Sequence, residues 1–202
     1  MSEVVGYTQE DFLREHLPYR LEMVDCFATA ILLAECSKIP GCQLGGEFVV
    51  PANYGLVISS TSQLMNMAIE VGLINFRLLT EFLGLKNDKH GAKFKAWIPK
   101  EESDDFHITR IICKNGKKLS TVPVKFVEGL GTRTWTFNGK DYALDVASVF
   151  WKVISDANKA AGHLVVRERP NFPLDNYLAC LALKSIVNHF VYDKLSRPER
   201  LQ

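Results

Sequence analysis

One helical segment of the sequence gathers several polar side chains that are suited to chemistry. Residues 155–167 read SDANKAAGHLVVR and carry Asn158, Lys159, His163 and Arg167. In a helix, residues four apart are neighbours, so His163 and Arg167 share one face, with Lys159 one turn earlier. Histidine transfers protons near neutral pH, and arginine holds phosphate or carboxylate groups through two parallel hydrogen bonds. The segment is therefore a candidate for acid/base chemistry or anion binding.

A second polar set lies earlier, within a long apolar helical pattern. Glu70, Arg77 and Glu81 are spaced seven and four residues apart, which places them near one stripe and makes Arg77–Glu81 an i,i+4 pair. A buried arginine needs an acidic partner, so we expect the two helices to pack antiparallel, with Glu70 or Glu81 meeting His163 or Arg167. The arrangement is either a structural network that fixes helix register or a polar pocket. We favour the structural interpretation, because ion-pair networks that only stabilise a fold contain the same residue types as a functional site.

The histidines do not indicate a metal centre. A zinc site needs three or four convergent ligands, and the helical candidates are only His163 and His189 together with Glu70 and Glu81. No dinucleotide-binding, Walker A, zinc-protease or serine-hydrolase motif is present, so neither a metal nor a cofactor is predicted. His163 and His189 are the candidates for a catalytic acid/base.

The bulk properties place limits on the partners. The chain has 202 residues and a net charge of +1, which favours a single domain over residues 1–202 without a bulk attraction to nucleic acid. The N-terminal residues contain no apolar run, and the longest apolar stretch is too short for a bilayer, so no membrane association is expected. Five scattered cysteines without metal spacing suggest free thiols in the cytoplasm.

Hydrophobic periodicity predicts helices over most of the chain. Thr8 is a good N-cap for a short helix that runs to His16, and Pro18 fits the start of a second helix. A long helix is predicted within residues 54–83, another after Asp145, which can serve as its N-cap, and a last one near residues 174–195. The expected core-facing stripe of the long helix comprises Leu64, Met67, Ala68, Val71, Ile74, Leu78 and Phe82.

Two Asn-Gly dipeptides predict a small β-hairpin insertion. They lie at residues 115–116 and 138–139, each flanked by strand-like residues, and both central positions of a type I′ turn need positive φ. Residues 106–144 are therefore expected to hold two hairpins, whereas residues 86–104 lack periodicity and are expected to be a surface loop. The predicted fold is mainly α, a four- or five-helix bundle with this insertion.

Two motifs resemble a group of bacterial helical proteins. The early motif reads approximately L-E-x-F-L-x-H-A-R-N-L-x-D-F-L, which Glu70, Arg77, Phe82 and Leu83 match; Asn75 and Leu78 replace its His and Asn, and Glu81 its Asp. The late motif reads I-N-K-x-L-A-H-L-T-x-x-R and is matched by Asn158, Lys159, His163, Leu164 and Arg167. The group resembles the HEPN superfamily, helical bundles that often dimerise and are tied to nucleotide binding, RNA cleavage or phage defence.

The resemblance implies two alternatives for function. HEPN nucleases carry an R-x4–6-H motif, and the nearest equivalent here is Lys184 with His189, in which lysine replaces arginine and lacks its planar fork. A non-enzymatic helical domain, homodimeric and binding a nucleotide or a protein partner, is therefore the first expectation. The alternative is a HEPN-like RNA-directed nuclease or nucleotide-binding protein of a stress or phage-defence system that uses His163 or His189. For the binding role, the candidates are Glu70, Arg77, Glu81, Asn158, Lys159, His163 and Arg167.

Overall fold

Four long helices form the body of the protein. The computed structural model describes residues 8–36, 61–88, 93–100, 106–137, 139–162 and 175–195. Within these ranges the long helices are α2 (Leu17–Cys36), α3 (Thr61–Phe82), α5 (Val146–Gly162) and α6 (Asp175–Val187). Helix α2 packs against α3 and α6, and α5 packs against the same two helices, so the four close a ring around one core. The prediction of a mainly α bundle with a small β component is confirmed.

The first helical region is continuous and not divided at Pro18, as the sequence had suggested. A short helix α1 (Gln9–Asp11) leads into a π-helical turn, Phe12–His16, which runs directly into α2. Thr8 is the predicted N-cap and forms a reciprocal capping box with Asp11. Pro18 lacks an N–H and crowds the preceding helical turn. The wider π turn that lies directly before it accommodates this, so the helix continues without a break.

Helices α2 and α3 cross at an unusually short distance at Gly72. A Cβ atom at this position would lie 2.2 Å from Cβ of Phe27 and 2.9 Å from the backbone oxygen of Met23. On the other side of α3, the rings of Phe76 and Phe150 lie 4.9 Å apart, which joins α3 to α5. Helix α3 is thus held on two sides by neighbouring helices.

The β structure lies in two antiparallel strand pairs. Strands β3 (Thr132–Phe137) and β4 (Lys140–Asp145) form the hairpin predicted at residues 138–139, with Gly139 at φ +72°. At the first dipeptide, Gly116 has φ +77°, but the chain makes only a single β-bridge, Ile112 to Lys118, and no pair of strands. Residues Ile108–Arg110 form a 3-10 turn there instead. The predicted first hairpin is therefore present only as a turn with one antiparallel bridge, closed by backbone hydrogen bonds from Cys113 to Lys117 and from Leu119 to Ile111.

The expectation of an irregular loop at residues 86–104 also needs correction. Strands β1 (Leu85–Asn87) and β2 (Phe94–Ala96) pair antiparallel in this part of the chain. Leu85 and Phe94 are buried in the core. The many charged residues around them made the segment look like a surface loop. A short helix, α4 (Val124–Glu128), precedes the β3–β4 hairpin.

Asp145 ends the hairpin and starts the next helix. Its Oδ1 accepts a hydrogen bond of 2.7 Å from the backbone N–H of Ser148, which confirms the predicted N-cap of α5. The last helical region continues from α6 through a second π turn, Asn188–Tyr192, into α7 (Asp193–Leu195). Among the described helices, none has both the length and the apolar character that crossing a bilayer requires.

Candidate functional site

The predicted ion pair on α3 is present. Nε of Arg77 lies 3.1 Å from Oε1 of Glu81, and Nζ of Lys86 lies 3.9 Å from the same oxygen. The Arg77 side chain is 32% exposed and that of Glu81 is 19% exposed. The pair is therefore half-buried, and its contribution to stability is closer to that of a surface pair than to that of a fully buried one.

The other predicted site residues are not brought together in the described part of the chain. Glu70 and Asn158 are exposed, and the described part of α5 includes the backbone of Lys159 but not its side chain. His163 and Arg167 lie outside the described residues. Helices α3 and α5 do pack against each other, as expected. The proposed network between Arg77 and His163 stays a prediction.

The apolar stripe that was expected to face the core faces solvent over most of its length. Helix α3 instead buries Leu73, Phe76, Leu79 and Leu83. The exposed fractions on the opposite side are 52% for Met67, 37% for Val71, 42% for Ile74 and 37% for Leu78. We call these four residues the heptad stripe. Helix α3 is apolar on two faces, so the periodicity of its apolar residues does not show which face is buried, and the prediction chose the wrong face.

The spacing of the heptad stripe differs from that of a core-facing helix. From Leu64 the apolar residues follow at intervals of three, four, three and four, which is a strict seven-residue repeat. A core-facing helix usually shows a wider stripe with a period of 3.6, whereas alternating steps of three and four are typical of the seam between two helices. This distinction is the sequence signal that would have identified the surface.

A second arginine, which the sequence did not single out, lies beside the heptad stripe. Nη1 of Arg20 donates a hydrogen bond of 3.1 Å to Oδ1 of Asn75, and Nδ2 of Asn75 donates to the carbonyl of Val71 at 2.8 Å. Partial burial lowers the pKa of the Arg20 guanidinium. Asn75 is buried and stands where the resembling motif has histidine, so this position holds α2 to α3 by a hydrogen bond.

A groove runs along α6 in the described part of the chain. It has a volume of about 810 Å3, within the range of small-molecule sites. Its floor is formed by apolar side chains of α4, α6 and the residues that flank the hairpin: Phe126, Leu130, Val146, Leu181, Ala182 and Ile186. Leu181 is 43% exposed here. We call this cavity the His189 groove.

The polar residues of the groove include both members of the Lys184–His189 pair. Nζ of Lys184 lies 2.8 and 2.6 Å from the two carboxylate oxygens of Asp25, so its charge is balanced by an acid on α2. Arg133 projects from β3 into the same groove, and none of the described residues forms an ion pair with it. Nδ1 of His189 lies 3.8 Å from Oδ2 of Asp193.

His189 is one of a parallel pair of rings. Its side chain is 53% exposed, and its ring lies 5.9 Å from that of Phe126 at an interplanar angle of 7°. Phe126 is itself 37% exposed. His189 belongs to the π turn Asn188–Tyr192, and such turns occur frequently at functional sites.

The described residues offer no metal centre, and the Cys180 thiol is not activated. No three His, Cys, Asp or Glu side chains among them are placed to hold a metal ion. Burial raises the pKa of the Cys180 thiol strongly, with a further rise from the nearby charge of Asp25. A raised thiol pKa disfavours the reactive thiolate, so Cys180 acts as a small core residue.

Comparison with known proteins adds no assignment. No protein-family model matches the chain, and neither a curated protein nor a solved structure is significantly similar to it. Two surfaces of the protein remain as candidates for function, the heptad stripe and the His189 groove.

Proposed function

We propose that the protein is a non-enzymatic interaction domain that works as a homodimer, in which two copies meet along the heptad stripe of α3. The observation that carries the proposal is the strict repeat of four exposed apolar residues on a helix whose other faces are already packed. Clusters of exposed apolar side chains mark interaction surfaces, and this spacing fits a second helix. From Met67 to Leu78 the contact extends over about 17 Å of helix.

The charges beside the stripe favour an antiparallel arrangement of two identical helices. With Leu64, Val71 and Leu78 at the a positions, Glu70 and Arg77 occupy successive g positions. In an antiparallel pair, Val71 packs against Ile74 of the partner subunit, and g positions face g positions. Glu70 then meets Arg77 of the partner subunit, and the two-fold axis repeats this pair on the other copy. The surface is therefore complementary to itself in both apolar spacing and charge.

A parallel arrangement offers no such complementarity. There, g positions face the e positions of the partner, which are Asn75 and the buried Phe82. Neither supplies a charge to Glu70 or Arg77. Charge complementarity therefore supports the antiparallel register.

The expected affinity follows from the exposed fractions of the stripe. Burying the exposed parts of eight side chains, four from each copy, stabilises the dimer by about 7 kcal/mol when a fully buried side chain is worth about 2 kcal/mol. Association costs at least about 4 kcal/mol in lost translational and rotational freedom, and the two exposed charge pairs return up to about 1 kcal/mol, so the expected dissociation constant is on the order of 1 mM. Sedimentation equilibrium up to about 1 mM protein should show the mass rising toward twice the 22.8 kDa of the chain. A constant monomer mass throughout this range would contradict the proposal.

The free thiols of Cys26, Cys113 and Cys180 support the related proposal that the protein works in the reducing cytoplasm.

A second proposal is an RNA-directed nuclease of HEPN type with His189 as acid/base. The observation in its favour is that Lys184 and His189 line the same groove. It ranks second because Lys184 is already paired with Asp25 and a net charge of +1 contributes little to RNA binding. We expect no cleavage when the protein is incubated with total cellular RNA. Cleavage by the parent that is lost in His189→Ala or His163→Ala would establish the nuclease instead.

A further inference from the structure

We infer that the His189 groove is a binding site for a small organic anion with a planar aromatic body. This goes beyond dimer formation, because the groove lies on α4, α6 and the hairpin and includes no residue of α3. Its volume of about 810 Å3 is sufficient for a ligand of drug size. Three features of the groove support such a ligand: the apolar floor, the Arg133 guanidinium and the pair of stacked rings.

The floor of the groove favours an apolar ligand body. Leu181 and Phe126 are large apolar residues with 43% and 37% exposure, and both line this one cavity. Covering them removes apolar surface from water, which stabilises a complex in proportion to the area covered. A ligand without an apolar face would leave this surface exposed.

The polar side of the groove favours an anionic group. Arg133 is the cation available for a ligand, since Lys184 is neutralised by Asp25 and the described residues provide no acid for Arg133. A guanidinium binds carboxylate, sulfonate or phosphate oxygens through two parallel N–H donors. Asp193 is the acid on the rim, and it lies beside His189.

The ring pair favours a planar body. The rings of Phe126 and His189 are parallel within 7°, and both remain partly exposed. A third flat ring stacks on such a surface in an offset geometry with a gain beyond simple burial. Stacking would fix the orientation of the ligand so that its anionic group reaches Arg133.

Two fluorescent probes with the same aromatic body provide the test. Anilinonaphthalene sulfonate carries the anionic group, and N-phenyl-1-naphthylamine lacks it. We expect the folded parent protein to bind the sulfonate probe. The variant Arg133→Gln, a substitution at an exposed position, should bind this probe about tenfold more weakly, because it loses one charge-assisted contact. His189→Ala should weaken the binding of both probes, because it removes part of the stacking surface.

The controls separate this site from the dimer surface and from a general charge effect. Lys140→Gln removes one positive charge from the same hairpin outside the groove, so it should leave the binding of both probes unchanged. Ile74→Asp disrupts the proposed dimer surface. In this background, Arg133→Gln should still weaken the binding of the sulfonate probe by the same factor. Equal affinity of the parent and Arg133→Gln for the sulfonate would overturn the inference. An equal loss in Lys140→Gln would overturn it as well.

Discussion

The substitution Ile74→Asp should abolish the dimer and leave the fold intact. Ile74 lies in the centre of the heptad stripe, where it would pack on Val71 of the partner subunit. It is 42% exposed in the single chain. Losing that burial from both copies removes about 1–3 kcal/mol of association free energy. The substitution also places one new carboxylate from each copy in the interface, and burying these two unpaired groups weakens association by at least about 2 kcal/mol more.

The combined loss of at least about 3 kcal/mol corresponds to a dissociation constant weaker by about a hundredfold or more. Sedimentation velocity at a concentration where the parent is dimeric should therefore show only monomer. Ile98→Asp is the matched control, because Ile98 is an exposed isoleucine outside the stripe. Thermal unfolding of the dilute monomers should agree within about 0.5 kcal/mol, as expected for surface substitutions. A dimer that survives Ile74→Asp, or one that Ile98→Asp weakens equally, would refute the reasoning.

Three further predictions concern the single chain. Gly72→Ala should lower the free energy of unfolding by about 1–3 kcal/mol, because the new methyl group collides with Phe27 at the helix crossing; urea denaturation measures this. Arg77→Ala should cost only about 0.3–1 kcal/mol in the same assay, since its pair with Glu81 is half-buried, and a loss above 3 kcal/mol would contradict that assignment. Burial lowers the pKa of His107 below its usual 6.5, so the unfolded state takes up the proton first as the pH falls and stability should decrease below about pH 6.5. His107→Gln should show a smaller decrease over this range, and an equal pH dependence would exclude His107 as its origin.

Local signals in the sequence predicted the ends of several elements correctly. Thr8 and Asp145 were recognised as N-caps, and residues 138–139 as a hairpin turn, because each effect depends on residues within four positions. The Arg77–Glu81 pair belongs to the same class, since helical geometry alone brings its members together.

Features that depend on contacts distant in the chain were not predictable in this way. The burial of Leu85 and Phe94 by a short strand pair requires knowledge of the core beneath it. The choice between the two apolar faces of α3 depends on Gly72, whose missing side chain brings α2 close to one face and leaves the other exposed. The groove around His189 needs α4, α6 and the hairpin together, which no single segment specifies.

The most direct measurement of the dimer is a mixing experiment with two charge-reversed chains. Glu70→Arg places two arginines opposite each other in its own antiparallel dimer, and Arg77→Glu places two glutamates there. In the mixed pair, both contacts become attractive again. Sedimentation velocity should show each variant alone as weaker in association than the parent, and an equimolar mixture as a dimer. A mixture that associates no better than the separate variants would contradict the antiparallel seam along α3.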